Sequence, residues 1–165
     1  MAFASRSDLL ARSNARRLAQ LAVPADVDMV PDDALRVAVA GGDLSGFDQS
    51  VQEAITLALE AIDQALADAD ALLLSHGIPA TVQTTLLARL ASTVALYYLQ
   101  GAERMTEDIR KAYDGVIDTL KAHSRGDLDL VPSQPSDPVP SNDLTIITSR
   151  PRRYGAADPD DEVGL

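Results

Sequence analysis

The chain has 165 residues, and its 14 lysines and arginines stand against 25 aspartates and glutamates, for a formal charge of −11. That length suits a single domain with a modest core, and the absence of cysteine excludes disulfides, thiolate metal sites and cysteine nucleophiles, leaving His76 and His123 for any histidine chemistry. With aromatics at 4%, no tryptophan and many alanines and leucines, the composition predicts an all-α fold rather than a sheet. No apolar run approaches the ~18 residues of a membrane span, and no signal-type apolar core precedes a cleavage site, so a cytoplasmic chain is expected.

Charge and proline divide the chain unevenly. Residues 1–22 hold four arginines against Asp8, whereas residues 23–78 hold eleven acidic side chains against Arg36 alone. Six of the nine prolines, Pro132, Pro135, Pro138, Pro140, Pro151 and Pro159, fall after residue 131, where no helix can run through them. A helical domain over 1–131 and an extended, proline-rich arm over 132–165 are therefore expected.

Taken in order, Ser5 followed by Asp8 is a capping-box signature for a short helix that turns Leu9 and Leu10 inward. Asn14 opens a second, placing Leu18 and Leu21 opposite Arg16 and Arg17 until Pro24 stops it. A loop rich in Asp26, Asp28, Asp32 and Asp33 leads to a helix from about Asp33 to Ala40, closed by Gly41 and Gly42. Ser50 and Glu53 read as another capping box. From there Val51, Ile55, Ala58, Ile62, Leu66, Ala69 and Leu73 recur at helical spacing, with Glu53, Glu60, Asp63 and Asp68 across the opposite side. Gly77, Ile78 and Pro79 mark its stop. Residues Thr81 to Gln100 are apolar almost all round, Arg89 being the only charge, so neighbours must cover them. A last helix from about Thr106 to His123 turns Met105, Ile109, Ala112, Tyr113, Val116, Ile117 and Leu120 to one side and pairs Glu107 with Lys111, ending at Gly126. The expected architecture is a small bundle of three main helices with short N-terminal helices packed on it.

Chemistry finds little support. The aspartate loop lacks the glycine of an EF-type site, because Pro31 occupies the sixth position and no glutamate the twelfth, so it reads as a solvated loop. His76 and His123 each stand near a helix end, where a cation interacts with the dipole. Tyr97 and Tyr98 read as core packing with a bonded hydroxyl. None of the phosphate-loop, dinucleotide, nucleophile-elbow or zincin motifs occurs. Neither catalysis nor a cofactor is expected, and an acidic domain without a basic stripe is not built to grip phosphates.

The stretch from Ala61 to Leu130 resembles the small Mu-like bacteriophage head-to-tail joining proteins. Phe3 and Asp8-Leu9-Leu10 are similar to the family's N-terminal aromatic and Asp-Leu segment. Ala65 through Leu73 and Ile78-Pro79 resemble its alanine-rich helix and Leu-Pro stop, and Leu87 through Tyr97-Tyr98-Leu99 its tyrosine-ended helix. Thr106-Glu107-Asp108-Ile109-Arg110-Lys111-Ala112-Tyr113 resembles its Thr-Glu-x-x-Arg-x-x-Tyr motif, Gly126 through Leu130 its Gly-x-x-x-Leu, and Ser149 through Tyr154 its Arg-aromatic segment. Ser75-His76 replaces an Arg-Tyr pair, and about ten residues around Ala40 to Gln49 look inserted relative to the family.

The resemblance implies a virion adaptor, made in the host cytoplasm, that links the portal protein to a tail-side connector or stopper while DNA passes through without specific binding. It implies a ring of roughly twelve copies, a closed assembly in which each subunit offers two different faces to its neighbours. On that reading Arg6, Arg12, Arg16 and Arg17 meet an acidic surface such as a neighbouring adaptor subunit. The β-branched run Leu144, Thr145, Ile146, Ile147 and Thr148 would add as a strand to a partner sheet, with Arg150, Arg152, Arg153 and Tyr154 docking beside it. A solvated acidic tail is the plain alternative for that arm. Glu53, Glu60, Asp63 and Asp68 would line the channel and repel phosphates, or else face solvent. The competing reading of the whole chain is a small helical regulatory or chaperone-like binding module of the cytoplasm, which would be a monomer or dimer rather than a ring.

Overall fold

The computed structural model describes residues 3–101 and 104–131, and these form six helices without a strand among them. They are α1 (Arg6–Arg12), α2 (Ala15–Ala22), α3 (Asp32–Val39), α4 (Gln49–Ser75), α5 (Thr85–Gln100) and α6 (Glu107–Ser124). The chain is an all-α protein, as composition leads one to expect.

Local signals set most of the boundaries. The Ser5 hydroxyl accepts from the Asp8 N–H and the Asp8 carboxylate accepts from the Ser5 N–H at 2.8 Å, closing the capping box of α1. The Asn14 side chain accepts from the Arg17 N–H at 2.8 Å to start α2. At the end of α4, Gly77 takes φ +87°, its N–H reaches the Leu74 carbonyl, and the Ile78 N–H reaches Leu73. That is the paired-bond stop anticipated for this segment, with Ile78 folded back into the core.

Two starts differ from the expectation. Ser50 does not cap α4: the Gln52 N–H already bonds the Asp48 carbonyl at 3.0 Å, which makes Asp48 the cap position and draws Ser50 into the first turn. Glu53 accepts instead from the Gln49 side-chain amide. Likewise α5 begins at Thr85 rather than Thr81, because the Val82 N–H closes a turn onto Pro79 and the Thr84 hydroxyl caps the Leu87 N–H.

α5 is the centre of the packing, in contact with α1, α2, α4 and α6. Its partner along the greatest length is α4, whose Ile55, Ala58, Ile62, Leu66, Ala69 and Leu73 are buried with Ala54 and Ala65 between them. Leu87, Leu90, Ala91, Val94 and Ala95 of α5 meet them. Alanines at close spacing let these two backbones approach, and the larger residues fill the layers between them. Helices α1 to α3 close the remaining side through Leu9, Leu18 and Leu35, all fully buried. Leu10 and Leu21 are only half-buried.

α6 is held less deeply, with Val116 and Leu120 as its buried residues and Ala112 exposed. Its end is tied to the end of α4, where the Ser124 hydroxyl lies 3.0 Å from His76 Nδ1 and 3.1 Å from the His76 carbonyl. His123 Nδ1 lies 3.1 Å from the Leu128 carbonyl oxygen and 3.4 Å from the Leu130 nitrogen, where the segment after α6 turns back and Leu130 is buried. Both histidines thus close helix ends by specific bonds. Among the described residues no helix is long and apolar enough to cross a membrane.

Candidate functional site

The long helix α4 presents Glu53, Glu60, Asp63 and Asp68 on its exposed side, opposite the buried stripe. Their charges are not equally free. Arg6, projecting from α1, grips Asp63 with both ends of its guanidinium, Nε lying 2.7 Å from Oδ1. This bond holds the Asp63 carboxyl below the usual carboxylate range, against an opposing push from burial. Arg6 is accordingly paired within its own chain, while its side chain remains 37% exposed. The pairing also removes Asp63 from any uncompensated acidic strip. Glu53 and Asp68 accept from the side-chain amides of Gln49 and Gln64, one turn earlier on the same helix, and among the described residues no cation pairs with them there.

The other arginines of the N-terminal region are arranged differently. Arg12 ends α1, Asn14 caps α2, and Arg17 stands in the first turn of α2, so the two caps set the spacing of the two guanidinium groups. A recess of about 350 Å³ lies between Arg17, Gln20, Leu21, Met29, Gln100 and Arg104. A second, of about 260 Å³, includes Arg12, Arg17, Leu96, Gln100 and Ile109. Because Arg17 and Gln100 line both, the two are one groove running from the end of α1 across the end of α5 to the start of α6. Among the described residues no carboxylate lines it. Gln100 is only 5% exposed and lines both recesses. Arg16 is exposed but lines neither recess.

Arg104 and Gln100 were not among the sequence candidates. Arg104 donates to the Gln20 carbonyl, a contact between positions 84 residues apart that no local pattern encodes. The only signal was indirect: Arg104 follows the Gly101 helix stop, where the chain turns back.

Tyr97 and Tyr98 depart from the core-packing expectation. Tyr97 stacks on Tyr113 of α6 with ring centres 3.9 Å apart, and Tyr98 meets both rings edge-on while remaining 38% exposed. Burial, then a hydrogen bond with Tyr113, pushes the Tyr98 phenol up to about 12. The cluster pins α6 to α5 at the surface rather than filling the interior. Asp26, Asp28, Asp32 and Asp33 are all exposed, and among the described residues no group of three His, Asp or Glu could hold a metal ion. Leu144 to Thr148 and Arg150, Arg152, Arg153 and Tyr154 lie outside the described residues.

A family model described as Bacteriophage Mu, Gp36 matches residues 3–149. The chain belongs to this bacteriophage Mu Gp36 family. The matched span takes in all six helices, the acidic face of α4, the arginine groove and the β-branched run through Thr148, and it stops before Arg150. No curated protein matches the chain. As a member of the Mu Gp36 family it is a phage protein.

Proposed function

We propose that this Mu Gp36 family protein is a structural adaptor at the head-to-tail joint of the virion, bridging the portal protein to the tail-side connector or stopper. The observation that carries the reading is the partition of charge on one rigid domain: a long acidic helix face and a separate groove walled by arginines. A subunit with its charges segregated in this way can turn the acidic face to the lumen of a ring and the arginine groove to its neighbour, and such heterologous contacts close into rings when the rotation between copies permits. Arg12, Arg16 and Arg17 are then placed toward the neighbouring subunit.

The exposed face of α4 suits the lumen of such a ring. Glu53, Glu60 and Asp68 repel phosphates, so DNA slides past a wall that does not hold it. With Arg6 compensating Asp63, the repulsive strip consists of those three residues. The β-branched run Leu144 to Thr148 supplies the strand that adds to a portal sheet, and Arg150, Arg152, Arg153 and Tyr154 dock beside it.

Electron microscopy of particles carrying a tagged copy of the chain tests the reading. Density for the tag in a ring between portal and tail is the expected result. A chain absent from purified particles, and behaving as a monomer or dimer on one soluble partner, would support the regulatory module instead.

A further inference from the structure

The geometry points to the Arg12–Arg17–Arg104 groove as a receptor for a carboxylate-rich peptide, and to the run Asp158-Pro159-Asp160-Asp161-Glu162 of a second copy as its occupant. This deepens the adaptor reading and rests on it, since it names what one subunit receives from the next.

Three features of the groove ask for a ligand of this kind. First, Arg17 lines both recesses, with Arg104 beside it in one and Arg12 in the other, and among the described residues no carboxylate lines either, in a protein whose net charge is −11. Half-buried Leu21, Leu96 and Ile109 give the same recesses an apolar side. Second, Gln100, only 5% exposed, lines both recesses, so its side chain lies within reach of a ligand that crosses from one to the other. Third, the groove is elongated, formed by two joined recesses, which suits an extended peptide better than a single ion.

The occupant follows from charge complementarity and chain length. Four carboxylates in five residues form the densest acidic run of the sequence. Val163 follows as an apolar residue for the Leu96 and Ile109 wall. The 26 residues from 132 to 157 can span at most ~85 Å when fully extended, ample to cross a subunit boundary. The competing acidic surface, the α4 face, spreads Glu53, Glu60 and Asp68 over about four turns and cannot bring several carboxylates into one groove.

The test uses full-length protein in which Asp158, Asp160 and Asp161 are changed to Asn and Glu162 to Gln, so that its own run no longer competes. A fluorescent peptide of residues 156–164 is added and its anisotropy followed. Saturable binding that weakens with salt is expected, and Arg17→Glu or Arg104→Glu should each reduce affinity at least about tenfold. Gln100→Ala should weaken binding with little change in its salt dependence, while Arg36→Glu, at an exposed position of α3 outside both recesses, should leave it unchanged. Circular dichroism of each variant confirms that the fold persists. No binding, equal binding of a scrambled peptide, or indifference to both arginine reversals would overturn the inference. The two readings fail separately: peptide binding by a chain missing from virions sinks the adaptor, and rings formed by a chain that ignores the peptide sink the groove assignment.

Discussion

The docking of α1 offers a sharp test, because two different forces hold it and their sizes are well separated. Leu9 is fully buried against the core, and truncation of such a leucine costs about 2–5 kcal/mol through lost transfer energy and the cavity left behind. The Arg6–Asp63 pair is short and well aligned, but its side chains are 37% and 50% exposed. Water screens a pair of that kind, and its contribution is about 0.2–1 kcal/mol. Leu9→Ala should therefore cost several times as much as Arg6→Ala. Urea unfolding followed by circular dichroism reads the difference, and a loss of about 3 kcal/mol lowers the midpoint by roughly 1–3 M at unchanged slope. Acid separates the two further. The Asp63 carboxyl sits below its ordinary range when folded, so the pair stabilises fully above the unfolded carboxylate value and is lost as pH falls through the folded one. The deficit of Arg6→Ala should vanish in acid while that of Leu9→Ala persists. An Arg6→Ala cost equal to that of Leu9→Ala would refute the reasoning and make the ion pair the principal anchor of α1.

Asp70 accepts the Phe3 N–H at 2.9 Å, and burial raises its carboxyl pKa against that bond; Asp70→Asn should be neutral or mildly stabilising at pH 7, whereas Asp70→Ala should cost about 1–3 kcal/mol by leaving the amide unpaired, as thermal melts would show. Gly77→Ala should cost about 1–2 kcal/mol in urea unfolding: a Cβ meets nothing within 4 Å, but φ +87° strains any other residue. Ser92 is fully buried, and its hydroxyl donates to the Ala88 carbonyl, which can still accept the ordinary helix bond; Ser92→Ala should change stability by less than about 1 kcal/mol. In an alkaline absorbance titration one phenol should ionise near 12 and be missing from Tyr98→Phe. Since that pKa is raised on folding, the contribution of Tyr98 is complete below the unfolded value of about 10 and is lost as pH climbs through the folded one.

Much of the domain was decided by short-range physics and could be read without coordinates. The Ser5–Asp8 box, the Asn14 cap and the Gly77-Ile78-Pro79 stop each join residues within a few positions, so the sequence contains both partners of every bond involved. The buried stripe of α4 was equally legible, because burial of one helix side imposes a 3.6-residue period. Ser50 misled because its capping-box pattern was real, yet the Asp48 carbonyl engaged the helix first.

What the chain's linear order could not supply was juxtaposition. Arg6 and Asp63 are 57 positions apart, and only the docking of α1 shows that one cation and one anion of the two expected surfaces neutralise each other. Arg12, Arg17 and Arg104 likewise become a single groove only because α5 ends beside α1 and α2. Tyr98 lies at the surface because α6 covers α5 along one side alone. Periodicity tells a helix which side to bury, but not which neighbour will bury it, and a site made of several helices is determined by those neighbours.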